Sequence, residues 1–425
     1  MSEVTDKIPP PEIIGLVATN EIQNIKALLL KGEGKVTDVD TNGMTPLHHA
    51  AFKGNAELCK LFLDHGADVN DDSHDHKYAP LHFAALSGDI ETVQLLLENN
   101  ARPYHVNTLG RTAAQMAAFV GNHAVVALIN NYIPLKDVSY YASPQGLDTE
   151  PKLMSTMVKP LYDLILQVNL HPVKIALTVE KSKDLQINIS KAVEVLNLMR
   201  EKENKRPENV NEIICIKLHY LSYVLKTLEK ENKKMTKEMN EEKKTAVYES
   251  IIKKWLRARS SDGFEEHLEY YIRDAIKSFP HPEMPLFIQL VQNLSGSRVG
   301  DSWALGTLSG CVNGQRAFHD EQGCMACGDE SKNIKKCSRC KTVRYCTTLC
   351  QKLHWGIHKK FCEKIYLEKK KDQEEIDKEK QKEEEKNQKA EVLKNDEEKE
   401  NQEISKVPDG PKELTPSKDI EQKTT

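Results

Sequence analysis

The 425-residue chain has no apolar run approaching the ~18 residues that would span a bilayer, so no membrane-crossing helix is expected. It contains no Gly-rich phosphate loop and no HExxH or GxSxG motif, which removes the usual signatures of nucleotide-dependent, zinc-protease and serine-hydrolase chemistry. The first eleven residues carry Glu3, Asp6 and three prolines where a signal peptide would have an apolar core, which points to an intracellular protein. Charge imbalance is slight. The net charge is −4, and residues 363–425 hold 15 Lys against 20 Asp and Glu, so the remainder is nearly neutral and no global field points to nucleic acid or membrane. Hydrophobic residues make up 39% and charged residues 29%, a mixture that fits folded domains joined to a charged, core-free segment.

The ten cysteines are unevenly spread: Cys59, Cys215 and Cys311 stand alone, and the other seven fall between Cys324 and Cys362. In a reducing compartment such a cluster reads as a metal site rather than a disulfide framework.

An internal repeat organises the N-terminal third. Thr45-Pro46-Leu47-His48-His49-Ala50-Ala51, Ala79-Pro80-Leu81-His82-Phe83-Ala84-Ala85 and Thr112-Ala113-Ala114-Gln115-Met116-Ala117-Ala118 align, and Gly54, Gly88 and Gly121 follow at one offset. Thr45 can cap a helix that accepts Pro46 in its first turn, and Gly54 lets that helix stop and the chain reverse. Gly66, and Asn100 one period on, end the second helices in residues that tolerate a left-handed conformation. The pattern resembles the ankyrin repeat, with its ~33-residue period and T-P-L-H-x-A signature. The array is expected over residues 12–134, with full repeats at about 40–70, 74–103 and 107–134. Residues 12–31, which place Asn20 one period before Gly54, form a degenerate first repeat; the last full repeat departs from the pattern at Ala113 and Gln115, as terminal repeats do. The resemblance assigns His48, His49 and His82 a structural role and puts partner contacts on the hairpin tips, about residues 40–43, 72–78 and 107–111. His74-Asp75-His76 falls on the second of these and reads as an exposed polar turn, a metal cluster being the alternative.

Residues 135–155 read as a turn-rich linker. Between 156 and 294 apolar residues recur at i, i+3, i+4 in five stretches (158–168, 189–199, 210–228, 246–255 and 265–279), which makes this region helical. Either a separate helical domain or diverged pairs continuing the solenoid would give that pattern; the missing repeat signature favours the former. Residues 295–323, rich in Gly and Ser, read as a flexible linker. After Cys362 the chain is Glu–Lys-rich, with too few apolar residues to bury a core. It is expected to be mostly disordered, or in part a solvated helix with i,i+4 Glu–Lys pairs.

The cysteine cluster has the order Cys324-x2-Cys327, Cys337-x2-Cys340, Cys346-x3-Cys350, His358-x3-Cys362. Eight ligands suit two closed tetrahedral zinc sites; with every position filled, none remains for an activated water. The i,i+4 pairs share one face if helical, so the second half of the module is expected to be helical. His354, four residues before His358, is a competing ligand. The spacing resembles the MYND finger throughout its 39 residues. That resemblance implies interleaved sites, Cys324, Cys327, Cys346 and Cys350 on one Zn2+ and Cys337, Cys340, His358 and Cys362 on the other. It also implies a reader of proline-containing peptides, with Gln351 and Trp355 as the binding residues. The alternative is that Trp355 packs in the small core.

Taken together the chain is expected to be mostly α: an N-terminal ankyrin-repeat solenoid, a helical middle region, a small double-zinc MYND finger at 324–362 and a disordered charged tail. The order of parts resembles the family that joins a short ankyrin array to a MYND finger. Membership implies a non-enzymatic adaptor that lies in the cytoplasm and helps deliver signalling proteins, membrane-bound ones and their chaperones included, to the cilium. Neither nucleic-acid binding nor membrane insertion is expected. The rival readings are a transcriptional co-regulator using the finger, which is basic with nine Lys and Arg against Asp329 and Glu330, and an enzyme hidden in the helical middle.

Overall fold

The structure, a computed structural model, describes residues 11–206, 210–233, 241–295, 303–314, 323–330 and 334–404, and the backbone alone of 241–246 and 384–404. Residues 1–10 of the N-terminal segment, 296–302 and 315–322 of the linker before the finger, and 405–425 of the tail lie outside it.

Four helix pairs form the array: α1 (Glu12–Thr19) with α2 (Ile22–Lys31), α3 (Pro46–Phe52) with α4 (Ala56–Asp64), α5 (Pro80–Ser87) with α6 (Ile90–Glu98), and α7 (Ala113–Val120) with α8 (His123–Asn131). The TPLH residues act as read from the sequence. Thr45 N–H donates to His48 Nδ1 at 3.0 Å, and His48 Nε2 reaches the carbonyl of Tyr78 at 2.9 Å in the next repeat. His82 repeats the pattern, accepting from Ala79 N–H and reaching the Arg111 carbonyl at 3.2 Å. Both imidazoles are buried, and burial pushes the His82 pKa down to about 4, so it stays neutral as the bonding pattern requires. In the last repeat Gln115 closes the same capping box through its amide but reaches no further repeat. A terminal repeat needs the cap and not the bridge. Asn20, at φ 63°, takes the left-handed place that Gly54 fills in the next repeat.

The 135–155 stretch is not a bare linker. It holds α9 (Leu135–Ser139) and a 3-10 turn, and it buries Val138, Tyr141 and Leu153. The helical middle is built from α10 (Ser155–Leu166), α11 (Pro172–Lys181), α12 (Lys183–Ile187), α13 (Ile189–Asn204), α14 (Glu212–Asn232), α15 (Glu241–Trp255), α16 (Glu266–Lys277) and α17 (Pro285–Ser295), and it packs with the array in one compact unit. Its centre is α14, which buries residues on every side, from Ile214 and Tyr220 to Leu225; a helix apolar all round belongs inside a core.

The expected flexible linker at 295–323 contains a further buried helix, α18 (Ala304–Asn313). Leu305, Leu308 and Val312 are fully buried at helical spacing, and α18 packs against both α8 of the array and the helical middle. The fully buried carboxylate of Glu269 fixes its start, accepting from Ala304 N–H at 2.8 Å and from Arg273 Nε at 2.7 Å. At its end, Asn313 bridges Asn131 of α8 (2.9 Å) and the Val168 carbonyl (2.9 Å). The array and the helical middle thus share one polar seam.

Among the described residues the only strands are β1 (Lys335–Lys336) and β2 (Arg344–Tyr345), paired antiparallel in the finger. The last helix, α19, runs Thr348–Ile404. Over residues 363–383 nearly all its side chains are exposed, and Lys364–Glu368 and Lys370–Glu374 pair at i,i+4. Over residues 363–383 the tail buries no core, as its composition requires, and as far as Ile404 its backbone is helical.

Candidate metal centre and peptide-binding face

The finger is assembled from two tight knuckles and the start of a helix. Gly328 N–H bonds the Cys324 carbonyl at 2.7 Å and Lys341 N–H bonds the Cys337 carbonyl at 2.9 Å, turning each CxxC back on itself. Lys341 takes a positive φ of 54°, and Gly328 one of 66°. Strand bonds hold the knuckles together, Cys337 N–H to Val343 and Met325 N–H to Arg344. One detail differs from the sequence expectation: Cys346 precedes α19, and only Cys350 lies in its first turn, capped by the Thr347 hydroxyl. The thiolates of that pair therefore sit at a helix N-terminus, where the backbone field favours negative charge.

Two interleaved tetrads result, Cys324, Cys327, Cys346 and Cys350, and Cys337, Cys340, His358 and Cys362; in each, the ligand atoms lie within 4.8 Å of one another. The spacings test the fit to zinc. Four sulfurs bound to a tetrahedral Zn2+ at about 2.3 Å stand about 3.8 Å apart. Cys327–Cys346, Cys346–Cys350 and Cys350–Cys327 are 3.6, 3.6 and 3.7 Å. A sulfur and an imidazole nitrogen on one zinc stand about 3.6 Å apart, and Cys340 Sγ to His358 Nε2 is 3.6 Å. The donor set and its geometry fit two structural zinc ions.

His354 belongs to neither tetrad. It is buried, with Nδ1 2.9 Å from the Tyr345 hydroxyl and Nε2 3.8 Å from the Glu265 carboxylate. Burial lowers its pKa to about 4.

The finger is docked on the helical middle. Asn169 Nδ2 donates to the Cys327 carbonyl at 2.9 Å, and Lys174 pairs with Asp329 at 2.9 Å. Lys352 reaches Glu249 at 3.4 Å. The Ser261-Asp262-Gly263-Phe264 turn completes the seat. Asp262 accepts from Arg259 and from Phe264 N–H, and Gly263, at φ 78°, lets the turn approach Phe361, whose ring stands 3.3 Å from where a Cβ would be. These docking residues carry no sequence signal, since each is meaningful only beside a partner about 90 to 160 residues away.

Gln351 and Trp355 lie one turn apart on α19. Trp355 is 44% exposed and Gln351 half-buried, so the tryptophan is not consumed by the finger's core. The His74-Asp75-His76 turn is polar, with Asp75 and His76 exposed and His74 packed on Tyr78 and Phe83.

Comparisons with known proteins match this division. A family model for ankyrin repeats in three copies fits residues 14–107, and the MYND finger model fits residues 324–362. Dauer abnormal formation protein 25 of Caenorhabditis elegans is 30% identical over 365 residues, covering 84% of this chain and 91% of its own. The chain belongs to the ankyrin–MYND family of that protein. Other likenesses are local. Palmitoyltransferase akr1 of Neurospora crassa is 33% identical over 117 residues, 28% of this chain and 16% of its own. A SET and MYND domain-containing protein of Dictyostelium discoideum is 51% identical over 35 residues, 8% of this chain and 6% of its own. The ankyrin–MYND chain thus combines two interaction modules with a double-zinc centre, and among its described residues no helix is long and apolar enough to cross a membrane.

Proposed function

We propose that this ankyrin–MYND protein is a non-enzymatic adaptor with two readers, the ankyrin array for one protein partner and the finger for a proline-bearing segment of another. The observation that carries the reading is Trp355, exposed on a finger whose two metal sites each offer four protein ligands. An open indole one turn from an amide suits an extended proline-containing segment, stacking on the ring and hydrogen-bonding to Gln351. On the array, Phe52, Leu86 and Phe119 occupy equivalent places at the ends of successive first helices; Phe52 and Phe119 are 55% and 76% exposed, which supports a protein-binding face beside the hairpin tips. Holding two partners on one chain raises their effective concentration without new contacts between them. Following the family resemblance read from the sequence, the cargo would be signalling proteins or their chaperones bound for the cilium, met in the cytoplasm.

The test is affinity capture from ciliated cells with wild type beside Trp355→Ala. A defined subset of partners, rich in proline-bearing segments, should be lost with the variant while the rest stay. Identical partner sets would overturn the finger's part of the proposal.

A further inference from the structure

Where the last ankyrin repeat meets α13 and α14 the two parts enclose a cavity of about 620 Å³, a volume within the range of ligand sites. Neither part makes it alone. Its floor is apolar, built from Ile133 beyond α8, Met199 of α13, and Ile214 and Leu218 of α14. Its rim is ionic and unbalanced. The two carboxylates there are already engaged: Asp137 faces Lys202 at 3.8 Å, and Glu203 pairs with Arg206 at 3.1 Å while accepting from Asn211 N–H at 3.0 Å. Two cations are left over. Arg102 has no side-chain partner among the described residues, and Lys136 meets only the neutral amide oxygen of Asn100 at 3.1 Å.

An apolar floor beneath two uncompensated cations selects an occupant with an apolar side chain flanked by negative charge. We infer that the joint between array and helical middle is a third binding site, taking a short acidic segment of a partner protein. One apolar side chain sits on the floor between Met199 and Leu218, and its carboxylates meet Arg102 and Lys136. The site is separate from Gln351 and Trp355, and it exists only while the array and helical middle are docked.

The probe is an array of immobilised hexapeptides with four acidic positions around two varied apolar residues, beside the same array with lysine at the four positions. It is read with the full-length, zinc-loaded protein. A subset of acidic peptides should bind and the lysine set should not, and binding should weaken several-fold between 50 and 300 mM salt, as the Debye length falls from about 14 Å to about 6 Å. Arg102→Glu with Lys136→Glu should lower the affinity at least tenfold; Arg102→Gln with Lys136→Gln, a milder change that keeps the fold should reversal disturb it, should lower it several-fold. Trp355→Ala should leave it unchanged. Equal retention of acidic and basic peptides, binding that survives both double variants, or binding lost with Trp355→Ala would each overturn the inference.

Discussion

Lys217 offers a sharp test of how the array and the helical middle are joined. It lies fully buried on α14, and its ammonium group donates to the side-chain oxygen of Asn131 at 2.5 Å. Asn131 in turn donates to the Ala127 carbonyl and to Asn313, so the lysine ends the polar seam between α8, α14 and α18. Burial pushes its pKa from an ordinary 10.5 down to about 7. The unfolded chain holds the proton up to about pH 10.5 and the folded one only to about pH 7. Between those values unfolding takes up a proton, so stability rises with pH; below about pH 7 the whole penalty is present, roughly 5 kcal/mol. Lys217→Met removes that penalty and leaves Asn131 without its donor, which costs about 1–3 kcal/mol. The variant is therefore expected to be more stable than wild type by about 2–4 kcal/mol at pH 6, with the gap narrowing from about pH 7 and reversing by about pH 10. Urea unfolding followed by circular dichroism at pH 6, 8 and 9.5 reads this directly. A variant less stable than wild type at pH 6, or a difference that does not change with pH, would refute the reasoning.

Further outcomes follow from the finger and its seat. Cys337→Ser should lower the zinc content measured by native mass spectrometry from two ions to one per chain and expose the second half of the finger to proteolysis, because a module this small takes its stability from metal. Glu269→Gln should cost about 3 kcal/mol in urea unfolding, since it leaves the Arg273 guanidinium without its buried carboxylate and weakens the cap on α18. Asn169→Ala with Lys174→Ala should leave both zinc ions bound but raise amide hydrogen exchange in residues 324–330; unchanged exchange there would show that these two contacts do not seat the finger.

The array and the zinc centre were legible in the sequence because their physics is local or periodic. A capping box, a left-handed helix stop and two CxxC knuckles each lie within a few residues, and the repeat shows them several times over. Even the departure at Gln115 could be read, since a last repeat needs the cap but not the bridge that His48 and His82 provide. Helix α18 was not legible as such. Gly306, Ser309 and Gly310 give it low intrinsic helix propensity, so its composition resembles a linker, and burial of Leu305, Leu308 and Val312 between the array and the helical middle overrides that preference. Their i, i+3, i+7 spacing was the available signal. The stretch 135–155 was misjudged for a related reason: Val138, Tyr141 and Leu153 are few and widely spaced, and only the tertiary structure shows that each is buried. The seat of the finger is non-local altogether. The reason for Gly263, the Phe361 ring beside it, lies in another module.

If one chain holds two different partners at once, sequential capture will recover them together. A partner lost with Trp355→Ala is tagged and used as the handle, and the recovered material is examined for partners that do not depend on Trp355. Wild-type protein should bring the second set along with the first, and Trp355→Ala should leave the handle empty. Recovery of the first set alone from wild type would contradict it, because the two readers would then act one at a time and the chain would not be an adaptor between them.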